Sequence, residues 1–392
     1  MNLMHPQTIA TSQELVALCE RVRKAPRLGI DTEFHNERSY TARLMVVQIA
    51  FEDGAALVDP LAVPDLRPLA QALCETEVVG HALTSDLKIF ADRFGIVPGR
   101  VFDCQVGAAF LGYGMSISLA DLVRELTGVR LKKSHTVSDW SARPLSPGQI
   151  EYLIDDVAHL LEMQDRLVER LRANGRYAWA VEECATLSDL RKYQVDERRS
   201  YMRIPGSNRM SRRELGVLLE LSSLRHRVAR ERDLPLKFVM PDDVVAGLAT
   251  LRPKRPDDLA QLRRLDSGAR RTLGPAVLEA VARGEAIPEN ELPEKTPRPL
   301  GSSRETLASL MSVVAGEIAR DNELPTSLLV PRSALERVAR EVPSSRDAFE
   351  RTLDLSAWRM SLVADPIWRL LSGESALRIE GYAGGDPRIT PE

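Results

Sequence analysis

The chain has 392 residues, more than one hydrophobic core usually organises, so two or three domains are expected. Its composition is that of an ordinary globular protein with a formal net charge of −3, and no apolar run reaches the roughly 18 residues that a membrane span needs. Cys19, Cys74, Cys104 and Cys184 are scattered without a CxxC pair, which argues against a zinc site or a disulfide framework and for buried thiols.

From the N-terminus, "MNLMHPQTIATSQEL" lacks the basic-then-apolar plan of a signal peptide, and a cytoplasmic setting is expected. Strand-like runs follow at "LGIDTEF" (28–34), "LMVVQIA" (44–50), "AALVDP" (55–60) and "EVVGHA" (77–82); the first three are close enough to form an antiparallel meander. Asp31 and Glu33 stand two apart, so on a strand they share a face. Like charges side by side are unfavourable unless a cation lies between them or the strand end opens to water. After "EVVGHA" a turn leads into a helix ending near Gly95, with Asp86 at its start, where a carboxylate also simply complements the helix dipole.

A strong helical pattern, "GQIEYLIDDVAHLLEMQDRL", covers 148–167. At about 100° per residue its apolar positions form one face; Asp155 points away from it, and Asp156 flanks it one turn after Tyr152, presenting phenol and carboxylate together. After about Trp179 the strand signals vanish, and amphipathic helices separated by Pro and Gly are expected. There "VARERDLPLKFVMP" (228–241) matches "IARDNELPTSLLVP" (318–331) at a constant offset of 90, which predicts two copies of one small helical domain joined by the Pro-rich linker 283–303. Sixteen Lys and Arg against ten Asp and Glu between Arg203 and Glu279 leave the rest of the chain acidic. Such asymmetry would suit a cation-gathering catalytic domain joined to a module that holds a polyanion.

"DTEF", "HALTSDLKIF" and "YLIDD" resemble, in order and spacing, the three exonuclease motifs of the DEDD superfamily, and Tyr152, four residues before the last Asp, marks its tyrosine subclass. The segments "ARERDLP" and "ARDNELP" look like signatures of tandem HRDC domains, and "KSHTVSDWSARPLSPGQIEY" (133–152) extends the likeness. Over nearly its whole length the chain resembles the bacterial ribonuclease D family. It departs from that pattern at Ser39 to Ala42, "SYTA", where the family often has an aromatic-Pro pair.

The resemblance implies an α/β ribonuclease H-like exonuclease domain with a mixed sheet over 1–195, followed by two all-α HRDC-type domains over 205–290 and 304–383. Asp31, Glu33, Asp86 and Asp156 would hold two divalent ions, Mg²⁺ or Mn²⁺, because oxygen-only ligands suit these rather than zinc. Tyr152 would orient the attacking water, and Thr32 and Phe34 would contact the terminal nucleotide. Lys132, Lys133, Trp140 and Arg143 are candidate phosphate or base contacts; His81 and Asp103 read as structural. In the first repeat, Arg230, Arg232 and Lys237 would grip RNA beside Arg225 and Arg227; Asn322 and Ser327 replace Arg232 and Lys237 in the second, which is expected to pack against the rest of the protein. The implied activity is that of a monomeric 3′–5′ exoribonuclease, free of membranes, that trims tRNA precursors and other structured RNAs and releases 5′-mononucleotides. A proofreading-type DNA exonuclease would share the metal chemistry. A non-catalytic nucleic-acid-binding module is the third reading, against which four intact carboxylates argue.

Overall fold

The computed structural model describes residues 6–63, 65–131, 139–194, 196–261, 267–295, 300–380 and 388–391. Runs rich in Val, Ile and Leu form β1 (Gln7–Ile9), β2 (Arg27–His35), β3 (Arg43–Phe51), β4 (Gly54–Val58), β5 (Glu77–Gly80) and β6 (Arg100–Asp103), which join in the order β1-β4-β3-β2-β5-β6. The β2-β3-β4 meander is antiparallel and the other pairings are parallel, giving the mixed sheet. Strands β1 (QTI) and β6 (RVFD) are not among the expected strands, since each is short and lacks the paired Val that marks the equally short β5. Strand β3 is buried at every position after Arg43, whereas β2 is buried through Ile30 and then opens at alternate positions, so its carboxylates emerge where the sheet meets solvent.

Helices α1 (Ser12–Lys24), α2 (Arg67–Leu73) and α3 (Thr84–Phe94) connect the strands, and α4 (Cys104–Ala109), α5 (Leu119–Thr127), α6 (Pro147–Ala158), α7 (Leu160–Ala173) and α8 (Tyr177–Ala185) follow. Helix α6 starts at a reciprocal Ser146–Gln149 capping box with Pro147 in its first turn. The long helical pattern of 148–167 divides at His159 into α6 and α7, which leaves α6 free to take its own angle over the end of β2.

The internal repeat is carried by the backbone itself. Helices α9 (Arg212–Arg232), α10 (Leu236–Val239), α11 (Asp242–Leu251) and α12 (Ser267–Ala286) are echoed ninety residues on by α13 (Ser302–Asp321), α14 (Thr326–Leu329), α15 (Arg332–Glu341) and, after α16 (Arg346–Leu353), by α17 (Ala357–Ser372). Asp233 and Glu323, ninety residues apart, both adopt positive φ (48° and 51°), as do Arg252 and Val342 (51° and 49°). Non-Gly residues enter this region seldom, so two coincidences at one offset mark the same chain path. Two expectations need correction. Helix α12 runs to Ala286, so the linker starts later than 283, and strands do return after Trp179, as the antiparallel pair β7 (Leu377–Glu380) and β8 (Arg388–Pro391).

The first repeat has its own core around Leu218, Leu221, Val245 and Val277. The second shares one continuous core with α4, α5, α7 and α8, and Trp358 sits between Phe110 and Trp179.

Candidate active site

Three chain segments bring the acidic residues together. Asp31 and Glu33 project from β2, where the register with β3 shifts between Glu33 and Phe34. Asp156 approaches from α6, and one carboxylate oxygen from each of Asp31, Glu33 and Asp156 lies within 4.8 Å of the others. Asp86 arrives in the first turn of α3, beyond the end of β5, the parallel neighbour of β2. It accepts a hydrogen bond from the Thr32 hydroxyl and is close enough to raise the pKa of both Asp31 and Glu33.

Among the described residues, no cationic side chain offsets the carboxylates. Burial, with Asp156 and Asp86 nearby, pushes Glu33 up to about 8; burial raises Asp156 to about 7 and Asp86 to about 6. Asp31 is raised well above the usual carboxylate range by burial and then by Asp86, Asp156 and Glu33. One oxygen of Asp156 is buried without a hydrogen-bond partner. Carboxylates converging from β2, α3 and α6, with one oxygen orphaned, fit hard divalent cations. Tyr152, one turn before Asp156, hydrogen-bonds to it; burial and the neighbouring carboxylates hold its phenol above the ordinary range, so it stays protonated at neutral pH.

Several surrounding residues hold this arrangement. Gln48, fully buried in β3 and paired in register with Asp31, directs its amide at the Asp31 carboxylate at 3.5 Å. Its signal in the sequence is one polar residue within the apolar run "LMVVQIA". Asp103, at the end of β6, accepts from the backbone N–H of Ala82 and Leu83 at 3.0 and 2.9 Å, fixing the turn that delivers Asp86, where Ala82 itself has φ 57°. His81 hydrogen-bonds to the Ile117 carbonyl at 3.0 Å, and both residues play the structural part expected.

Other candidates are placed differently. Trp140 is buried and packs its ring on Tyr152, centroids 5.6 Å apart, so it supports the tyrosine and is not open to a base. Arg143 spends its guanidinium on Asp59 (2.6 and 2.8 Å) and on the carbonyls of Met45, Trp140 and Ala142, and no N–H remains for a phosphate. Lys132 and Lys133 lie outside the described residues. Thr32 is buried and its hydroxyl is committed to Asp86, while Phe34 is half-buried beside Glu33. In the first repeat Arg225 is buried against Asp242, correcting its place in the basic cluster, and Arg230 pairs with Glu197 above the Tyr40 ring. Arg232 and Lys237 are exposed.

Comparison with known proteins gives the family. Residues 6–172 match the family model described as 3′-5′ exonuclease, and residues 214–281 match the HRDC domain. The ribonuclease D of Gluconacetobacter diazotrophicus is 35% identical over 386 residues, covering 96% of this chain and 95% of that one. That of Escherichia coli K12 is 30% identical over 372 residues, covering 94% and 99%. The crystal structure of Escherichia coli RNase D, described as an exoribonuclease involved in structured RNA processing, superposes with a TM-score of 0.83 at 30% identity over 94% of this chain and 99% of that one.

Proposed function

This chain belongs to the ribonuclease D family and is a 3′–5′ exoribonuclease, and we propose that it shortens tRNA precursors and other structured RNAs from their 3′ ends by two-metal-ion hydrolysis. The observation that carries the mechanism is the meeting of Asp31, Glu33 and Asp156 oxygens within 4.8 Å, with Asp86 beside them. Asp31, Glu33 and Asp156 would hold one Mg²⁺ or Mn²⁺, and Asp31 with Asp86 a second. Such ions, when bound, acidify the attacking water and stabilise charge on the departing 3′ oxygen.

The chain's own groups do the positioning. Tyr152 keeps its proton and orients the water through its hydroxyl, with Trp140 behind the ring and Asp156 fixing the phenol. Thr32 acts through Asp86 as a positioning residue, and Phe34 stacks on the terminal base. Exonuclease domain 1–195 is followed by HRDC-type domains 205–290 and 304–383; the second assignment is supported by the shared helix order and the paired positive-φ residues. Among the described residues no helix is long and apolar enough to cross a membrane.

Matched RNA and DNA oligonucleotides ending in 3′-hydroxyl or 3′-phosphate, incubated with Mg²⁺, Mn²⁺ or EDTA, test the reading. Stepwise release of 5′-mononucleotides from 3′-hydroxyl RNA, abolished by EDTA, is expected. Equal digestion of DNA would replace it with the proofreading-type activity.

A further inference from the structure

Phe238 is 58% exposed, and among the described residues every other Phe and Trp is buried or only partly exposed. A single exposed apolar side chain is ordinary in itself. What makes this one informative is its counterpart ninety residues on. Val239 and Leu329 are both buried, as are Met240 and Val330, yet Leu328 is only 3% exposed where the first repeat turns the larger, aromatic Phe238 outward. The same scaffold therefore can bury this position, and in the first copy it does not.

Phe238 lines a groove of about 480 Å³ together with Lys237 and Pro235 from the first repeat and Asn36, Glu37 and Arg38 from the exonuclease domain. The Lys237 ammonium lies 5.4 Å from the centre of the Phe238 ring. Asn36 directly follows β2, the strand of Asp31 and Glu33, and five residues of chain place Arg38 within roughly 18 Å of Glu33. An exposed aromatic ring in a groove that also carries two cations matches the alternating chemistry of a single strand, bases between phosphates. Glu37 offers an acceptor to a base amino group and disfavours a run of phosphates at that edge.

Resting on the exoribonuclease reading, we propose that this groove holds the RNA strand a few nucleotides upstream of the 3′ terminus, with Phe238 stacked on a base and Lys237 and Arg38 on flanking phosphates. Contact at that distance means that the groove acts only on substrates long enough to reach it.

The test compares a dinucleotide with an oligoribonucleotide carrying a single-stranded 3′ tail, using the full-length protein, Phe238→Ala and Phe238→Tyr. Phe238→Ala is expected to lower kcat/KM on the tailed RNA about tenfold more than on the dinucleotide, mainly through KM, with Phe238→Tyr restoring most of the difference. Equal losses on both substrates, or no loss on the tailed RNA while the unmodified protein trims it, would overturn the groove and leave the exoribonuclease reading standing. An unmodified protein that leaves both RNAs intact would overturn the two together.

Discussion

Trp358 of the second repeat stacks on Trp179 at 5.0 Å and meets Phe110 edge-on at 5.3 Å, inside a core that runs without a break into α4, α5 and α7. The first repeat touches the same exonuclease domain through a polar seam: Tyr40 Oη to His226 Nδ1 at 3.0 Å, the Tyr40 N–H to Asp233 and Arg43 to Asp233 at 3.1 Å; beside it, Arg230 pairs with Glu197 of the connecting segment. Exposed ion pairs contribute about 0–1 kcal/mol each, whereas a buried aromatic cluster is worth several. One backbone design has thus been used twice, once as part of the scaffold and once as an attachment that keeps its polar face available. The loop that departs from the family pattern, Ser39 to Ala42, supplies Tyr40 to that seam.

The comparison gives the chemistry to neither repeat, and the largest expected effect is therefore in the cleft. Asp156→Asn should reduce cleavage roughly a thousandfold or more while RNA binding persists, because it removes an ion ligand and no phosphate contact. Asp155 lines a separate groove with Glu151 and His159, and Asp155→Asn should stay within about twofold. Gel digestion with filter binding checks both; an inactive Asp155→Asn beside an active Asp156→Asn would invert the helical-face argument.

Next in size is the joint itself. Trp358→Ala should cost about 3–5 kcal/mol in denaturant unfolding and lower activity on every substrate, since its cavity opens beneath α4 and α8. Tyr40→Phe, which removes one hydrogen bond from the polar seam, should cost about 0.5–1.5 kcal/mol. Equal costs would erase the distinction between integrated and attached repeats.

A smaller effect separates the cleft from both repeats. Unfolded carboxylates lose their protons near pH 4, while folded Asp86, Asp156 and Glu33 hold theirs to about 6, 7 and 8 when no metal is bound. Between about pH 4 and 8 the folded state binds more protons, so the stability of the EDTA-treated protein must fall as pH rises. Divalent cations should remove that penalty, widening the gap in Tm between Mg²⁺-loaded and EDTA-treated protein by a few degrees from pH 5 to pH 8. A gap independent of pH would mean that the carboxylates do not share an ion.

Period-two spacing put Asp31 and Glu33 on one face and the helical period set Asp156 beside Tyr152, because backbone geometry decides which side chains share a face; that Asp86 joins them followed only from the resemblance to the DEDD exonucleases. The mixed sheet followed from the resemblance, whereas the antiparallel meander was legible from the spacing of the strands and the repeat from its constant offset. Arg143 and Trp140 were not: each is chemically able to hold RNA, and only the packing reveals Asp59 waiting for one and Tyr152 covering the other. Gln48 shows in the sequence only as one polar residue in an apolar run; that it faces Asp31 depends on register with β2, which no local pattern encodes.

The smallest expected effect tests what the polar face of the first repeat is for. Arg232 and Lys237 are exposed, and Asn322 and Ser327 stand at the matching positions of the second repeat. A lysine or arginine that neutralises a phosphate releases counterions, so each such contact adds roughly 0.7 to the log–log salt slope for single-stranded nucleic acid. Arg232→Ala with Lys237→Ala should therefore flatten the salt dependence of RNA binding by about 1.4. Arg230→Ala should change it less than either, because that guanidinium already answers Glu197 and covers the Tyr40 ring, and its loss acts on the seam. Asn322→Ala and Ser327→Ala remove no charge, and Asn322 is occupied in capping α13 through the Ile318 carbonyl, so binding and slope should both stay as they are. Salt titrations of structured RNA against the four variants, with Asp156→Asn as the cleavage-silent background, decide the matter. A double variant with an unchanged slope would show that the first repeat, for all its exposed charge, is no more an RNA-gripping surface than the second.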